Sequence, residues 1–150
     1  EMPLEDFERP VMSAVRTQFL SARAAARHMI RQGSGVILTF GGAGGRDPIR
    51  DYTSGGFQVA LGAIDVLRRQ LAVELGPHGI RVVTLQSGGV RETTRDNWRE
   101  AITRSFVETS MLKRVETLDD VGNVAAFAAS DLARTMTTTN INITAGRVAD

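Results

Sequence analysis

The sequence contains no cysteine, which excludes disulfides, thiolate nucleophiles and thiolate-bound metals together. Its two histidines, His28 and His78, stand far apart with no carboxylate at metal-ligand spacing, which argues against a zinc or iron site. Tyr52 is the only tyrosine and Trp98 the only tryptophan. Lysine is nearly missing too: of 18 basic residues only Lys113 is a lysine, a bias we attribute to genomic base composition. No apolar run approaches the ~18–20 residues of a membrane-spanning helix. The opening Glu1-Met2-Pro3-Leu4-Glu5-Asp6 is acidic and has no apolar signal core. A net charge of +1 gives no field that argues for nucleic acid or an anionic membrane. These absences lead to the expectation of a cytoplasmic protein.

What remains is a chain of 150 residues, 42% hydrophobic and 23% charged, the proportions of one globular domain. Val11, Val15, Phe19, Ala22, Ala26 and Met29 recur at spacings of three and four and predict a helix over 6–31, ended by Gly33 and Gly35. Gly35 to Phe40 is a short apolar run that reads as a strand covered on both faces. A glycine-rich turn, Gly41-Gly42-Ala43-Gly44-Gly45, and a polar loop follow. Ala60, Ala63, Ile64, Leu67, Leu71 and Leu75 give a second helix over 56–75, with Asp65, Arg68, Arg69 and Glu74 placed largely off its apolar stripe. Gly76-Pro77-His78-Gly79 stops it, and Ile80 to Leu85 reads as another buried strand, broken by Ser87-Gly88-Gly89. Trp98, Ile102 and Phe106 suggest a helix within 93–111. Thr117-Leu118-Asp119-Asp120 has capping-box form before the apolar positions Val121, Val124, Ala125 and Ala128. A last strand covers roughly 139–143. This order predicts an α/β fold with about three parallel strands and covering helices.

Three strings, taken in order, resemble the C-terminal half of the short-chain dehydrogenase/reductase fold. Leu71-Ala72-Val73-Glu74-Leu75-Gly76-Pro77-His78-Gly79-Ile80-Arg81-Val82 is similar to the family's helix-to-strand junction. Phe127-Ala128-Ala129-Ser130-Asp131-Leu132-Ala133 is similar to its last-helix ending, and Asn140-Ile141-Asn142-Ile143-Thr144-Ala145-Gly146 to its final strand. The resemblance implies half of a Rossmann-like, doubly wound parallel sheet and a single partial NAD(P)-binding domain over 1–150. The family's glycine fingerprint, which cradles the cofactor's pyrophosphate, does not occur in the sequence. We therefore expect part of a longer natural chain.

The family's reaction moves a hydride between nicotinamide and an alcohol or carbonyl. It uses a Tyr general acid/base, a Lys four residues on, a Ser that holds the substrate oxygen and a helical Asn. By the family's spacing those positions fall at Phe57, Leu61, Gly42 and about Ala14 in this chain. No alignment rescues the pair, because four residues after Tyr52 stands Gly56, and Lys113 lies far downstream. Tyr52 remains a candidate for a displaced proton donor, beside Thr53, Ser54, Arg46 and Arg50 in the same loop. A free phenol, with a pKa of about 10, is a slow acid/base at neutral pH, and a surface-loop role is the plainer reading. The 41–45 turn lacks the Lys-Ser/Thr ending of a phosphate loop. Close backbone approach to a ligand at Gly41 fits it better.

Ser87-Gly88-Gly89-Val90-Arg91-Glu92-Thr93 occupies the place of the family's nicotinamide-lining segment. The resemblance implies cofactor contacts at Gly88, the Val90 backbone and the Thr93 hydroxyl, with NAD or NADP as the cofactor. It also implies a small carbonyl or alcohol substrate if the chain is active. A homo-oligomer would form through the two long helices, where Ala22, Ala24, Ala25 and Ala26 would permit close approach. Two functions stay open at this point: an oxidoreductase with a degenerate active site, or a non-catalytic binding or scaffold protein on the same fold.

Overall fold

A computed structural model describes residues 1–42, 55–93 and 96–149. Helix α1 spans Leu4–Gln32. It starts two residues before the sequence expectation because the Pro3 carbonyl accepts the N–H groups of Asp6 and Phe7. Pro10 lies inside the helix. Gly33 ends it in the left-handed conformation, φ 72°, with Gly33 N bonding Ile30 O and Ser34 N bonding Met29 O.

Strand β1 (Gly35–Gly42), helix α2 (Gly56–Leu75) and strand β2 (Ile80–Ser87) follow. Helices α3 (Asp96–Thr109) and α4 (Leu118–Ala129) then lead to β3 (Asn140–Asn142). The strands are all parallel, in the order β1-β2-β3, with Gly35 opposite Ile80 and Thr84 opposite Asn140. The α/β expectation and the helix and strand assignments hold, with ends moved by a few residues.

Strand β2 is central and apolar on both faces, as a covered parallel strand should be. Val82 faces a cluster of Ala22 and Ala26 from α1, Ile37 from β1, and Leu71, Ala72 and Leu75 from α2. By strand alternation Val83 and Leu85 face the other side, where α4 brings Val121 and Ala128. Full burial of each such aliphatic side chain stabilises the fold by about 1.5–3 kcal/mol.

Helices α1 and α2 run side by side in the same direction. Gly56, at the start of α2, lies directly on the Phe7 carbonyl, where a Cβ would come within 1.7 Å of the oxygen. At their far ends Gly79 lies on the Gly33 carbonyl, 2.4 Å from where its Cβ would stand. Two glycines thus set the spacing of the helix pair at both ends.

The stripe expected on α2 needs one correction. Arg68 is buried, only 3% exposed, because it follows Ile64 by four residues and precedes Leu71 by three on the same face. Asp65 makes this tolerable by accepting from Arg68 Nη2 at 2.5 Å. Burial raises the Asp65 pKa, yet the bond and charge of Arg68, the charge of Arg69 and the Asn140 amide bring it below the usual carboxylate range. Phe19 is also more exposed than its place in the α1 stripe suggested. It sits on the helix flank with the Arg23 guanidinium 5.6 Å from its ring centre.

Candidate functional site

Parallel strands place their C-terminal ends at one edge of the sheet, where α/β folds bind ligands. Here β1 ends at Gly41 and Gly42, level with Gln86 and Ser87 at the end of β2. The turn carrying Gly88, Val90 and Thr93 leaves β2 at that edge. Helix α2 runs back from the same edge, with Phe57 in its first turn and Leu61 one turn further. The fold therefore gathers Gly41, Gly42, Phe57, Leu61, Gly88, Val90 and Thr93 at one end of the sheet.

Ala14 lines a groove of about 680 Å³ between α1 and the outer edge of β1, with Thr17, Gln18, Val36, Leu38 and Phe40. Tyr52, Thr53, Ser54, Arg46, Arg50 and the end of the glycine turn lie outside the described residues, as does the side chain of Trp98. Lys113 is remote from α2 in the chain and occupied, its Nζ donating to the Glu108 carbonyl at 2.9 Å near the end of α3.

Phe57 is 44% exposed. Its ring has no proton to transfer, and Leu61 carries no charge. Gly41 has a packing reason of its own, since a Cβ there would come within 2.8 Å of Thr84 Cγ2 on the neighbouring strand. Thr93 folds back on its own turn, its hydroxyl and its N–H both donating to the Val90 carbonyl, at 2.8 and 3.1 Å.

The turn is held from behind by residues that sequence reasoning did not single out. Glu116, 4% exposed, accepts the N–H groups of Gly88 and of Gly89 on one carboxylate oxygen, the latter at 2.8 Å. Its backbone carbonyl accepts Arg91 N at 3.0 Å. Arg147 Nη1 donates to the Gly88 carbonyl at 3.0 Å, and its guanidinium stacks 3.9 Å from the centre of the Phe106 ring. The same ring presses on Gly89, φ 154°, whose Cβ would stand 2.0 Å from Phe106 Cε2.

Glu116 is itself anchored by its neighbour. Thr117 caps α4 in the expected capping box, with its hydroxyl accepting Asp120 N and the Asp120 carboxylate accepting Thr117 N. Arg114 donates to both Asp120 oxygens at 2.8 Å. The Thr117 backbone and hydroxyl bonds, then Arg114, hold the Asp120 carboxyl below its ordinary pKa. No local sequence signal marks Glu116 or Arg147, because each reaches the turn only when the chain folds back after α3.

Among the described residues no helix is long and apolar enough to cross a membrane. A family model described as enoyl-(acyl carrier protein) reductase matches residues 1–147. The enoyl-(acyl-carrier-protein) reductase (NADH) of Bacillus cereus is 34% identical over 127 residues, which cover 83% of this chain and 48% of that protein. The 3alpha-hydroxysteroid dehydrogenase of Mediterraneibacter gnavus is 34% identical over 134 residues, covering 89% and 52%. A crystal structure of a short-chain type dehydrogenase/reductase from Mycobacterium marinum matches 100% of this chain and 59% of its own, with a TM-score of 0.89 and 29% identity. The chain spans about half the length of the curated relatives it matches. With its three parallel strands, their helical cover and these matches along the chain, it belongs to the short-chain dehydrogenase/reductase family.

Proposed function

We propose that this chain is the substrate-side half of an NAD(P)-linked oxidoreductase domain with a degenerate active site, in which ordinary carbonyl reduction has been lost. One feature of the sequence carries the reading. By the family's spacing its proton donor and its cation would fall at Phe57 and Leu61, and one Tyr and one Lys cannot supply that pair elsewhere. Gly42 at the Ser position removes the hydroxyl that would hold a substrate oxygen, and Ala14 removes the relay amide.

The residues present suit the nicotinamide end of a cofactor rather than its phosphates. The Val90 backbone and the Thr93 hydroxyl would hold the carboxamide, with Gly88 and Gly41 as further contacts by the family resemblance. When bound, the nicotinamide supplies or accepts the hydride. This chain's own part would be to orient the ring, and Tyr52 is its remaining candidate for handling a proton.

The relatives are named for enoyl-(acyl-carrier-protein) reduction and for hydroxysteroid dehydrogenation, so an enoyl thioester and a carbonyl compound are the substrate classes to test. The experiment is NADH and NADPH oxidation by the protein at its natural full length, offered both classes. Negligible turnover of the carbonyl compounds, unchanged in Tyr52→Phe, is expected. Robust carbonyl turnover abolished by Tyr52→Phe would overturn the reading.

A second reading, a non-catalytic scaffold, draws on a different feature. Val59, Val66 and Val73, seven residues apart on α2, are all exposed and form an apolar line suited to pairing with a second copy.

A further inference from the structure

We propose that Glu116 is a positioning residue for the nicotinamide end of the cofactor, fixing the Gly88–Arg91 turn. The proposal rests on the reading of that turn as the nicotinamide contact.

Three bonds carry it. The Glu116 carboxylate takes the N–H groups of Gly88 and Gly89, and the Glu116 carbonyl takes the N–H of Arg91. Val90 is therefore bracketed, with both preceding amides and the following one tied to a single residue. The side chain doing this is buried, so its bonds exchange little with water and are charge-assisted on the acceptor side.

The consequence is selective. Gly88 and Gly89 have no side chains, and Gly89 holds φ 154°, a conformation with broad freedom in an unrestrained chain. Two consecutive glycines would leave the turn mobile, and binding would then have to order it. Glu116 supplies that order in advance by holding the Gly88 and Gly89 N–H groups. Arg147 on the Gly88 carbonyl and Phe106 against Gly89 hold the same turn. The opposite connection is tied as well, since Glu92 accepts the Leu118 N–H at 3.2 Å. The turn and the segment entering α4 are thus cross-braced by two carboxylates, one from each side.

Because Glu116 acts on the nicotinamide end alone, it separates two ligands that differ only there. ADP-ribose carries the adenosine, pyrophosphate and second ribose without the nicotinamide ring. Calorimetric titrations of NADH and ADP-ribose on the full-length protein and on Glu116→Ala test the idea. The parent should bind NADH more tightly than ADP-ribose. Glu116→Ala should weaken NADH by about tenfold or more and leave ADP-ribose within about twofold, the loss expected when a charged hydrogen-bond acceptor is removed from one end of a ligand site. Glu116→Gln, which keeps an oxygen for the two amides, should recover most of the NADH affinity. Should the alanine variant fail to fold, Glu116→Asp withdraws the carboxylate by one methylene and should show the same selective loss.

Equal weakening of both ligands would make Glu116 a structural residue only and overturn the proposal. Unchanged NADH binding in the alanine or aspartate variant would do the same. A parent that binds NADH no better than ADP-ribose would instead overturn the underlying reading of the turn.

Discussion

Arg68 and Asp65 meet at 2.5 Å within α2, the arginine side chain 3% exposed and the aspartate 23%. Arg68 Nε and Nη1 have no hydrogen-bond partner among the described residues. A buried guanidinium with two idle donors is costly, and replacing it with a well-packed apolar side chain is often neutral or stabilising. Removing only its carboxylate leaves the charge buried and uncompensated. Arg68→Met should therefore be at least as stable as the parent, while Asp65→Ala should lose about 2–3 kcal/mol. Urea unfolding of the two variants decides it. A large loss in Arg68→Met would show that the ion pair is a net stabiliser.

The α1–α2 contact makes a paired prediction. A methyl group at Gly56 would meet the Phe7 carbonyl, and backbone cannot move aside cheaply. Gly62→Ala, on the same helix, meets nothing within 4 Å. Gly56→Ala should destabilise by about 1–3 kcal/mol through overpacking. Gly62→Ala should stabilise by about 0.5–1 kcal/mol through helix propensity and lost unfolded-state freedom. Thermal melts of the two variants should move in opposite directions. Equal shifts would mean that helix propensity, not the Phe7 contact, governs Gly56.

The capping box gives a pH signature. Asp120 is held below its ordinary pKa by Thr117 and Arg114. A carboxyl whose pKa falls on folding stabilises the fold above its unfolded pKa and loses that contribution as pH falls through the folded value. Stability should thus decline below a pH of about 4, where carboxylates protonate. Asp65, also lowered, adds to the same trend. In Asp120→Asn the decline should be shallower, measured by denaturant midpoints across that range. An identical slope would place the acid sensitivity elsewhere.

These cases show where the sequence could be read and where it could not. The helices and the buried β2 announce themselves through period and apolar runs, and the α4 box through Thr117 and its third neighbour. Arg68 misled because charge normally marks the solvent face, whereas here it shares the face of Ile64 and Leu71 and Asp65 pairs with it. That Phe57 can give no proton and Leu61 carries no charge is legible from residue type alone. Glu116, Arg147 and the Phe106–Gly89 contact were not, since each joins residues more than fifteen positions apart through chain reversal. No periodicity encodes such a pairing.

The exposed valine line on α2 yields the last prediction. Val59, Val66 and Val73 stand at heptad spacing, and Val66 is 62% exposed at its centre. Along a nearly straight helix, positions seven apart share one face with a drift of about 20°. A second copy laid against that line would bury all three, and a charge at the middle would have to be desolvated. Val66→Glu should therefore shift the protein toward monomer in light scattering coupled to size exclusion. Its unfolding midpoint at low concentration should stay near the parent's, because the residue makes little use of its own core. Val66→Leu should leave association intact. Assembly unaffected by the glutamate would remove this face as the pairing surface and, with it, the main structural support for the scaffold reading.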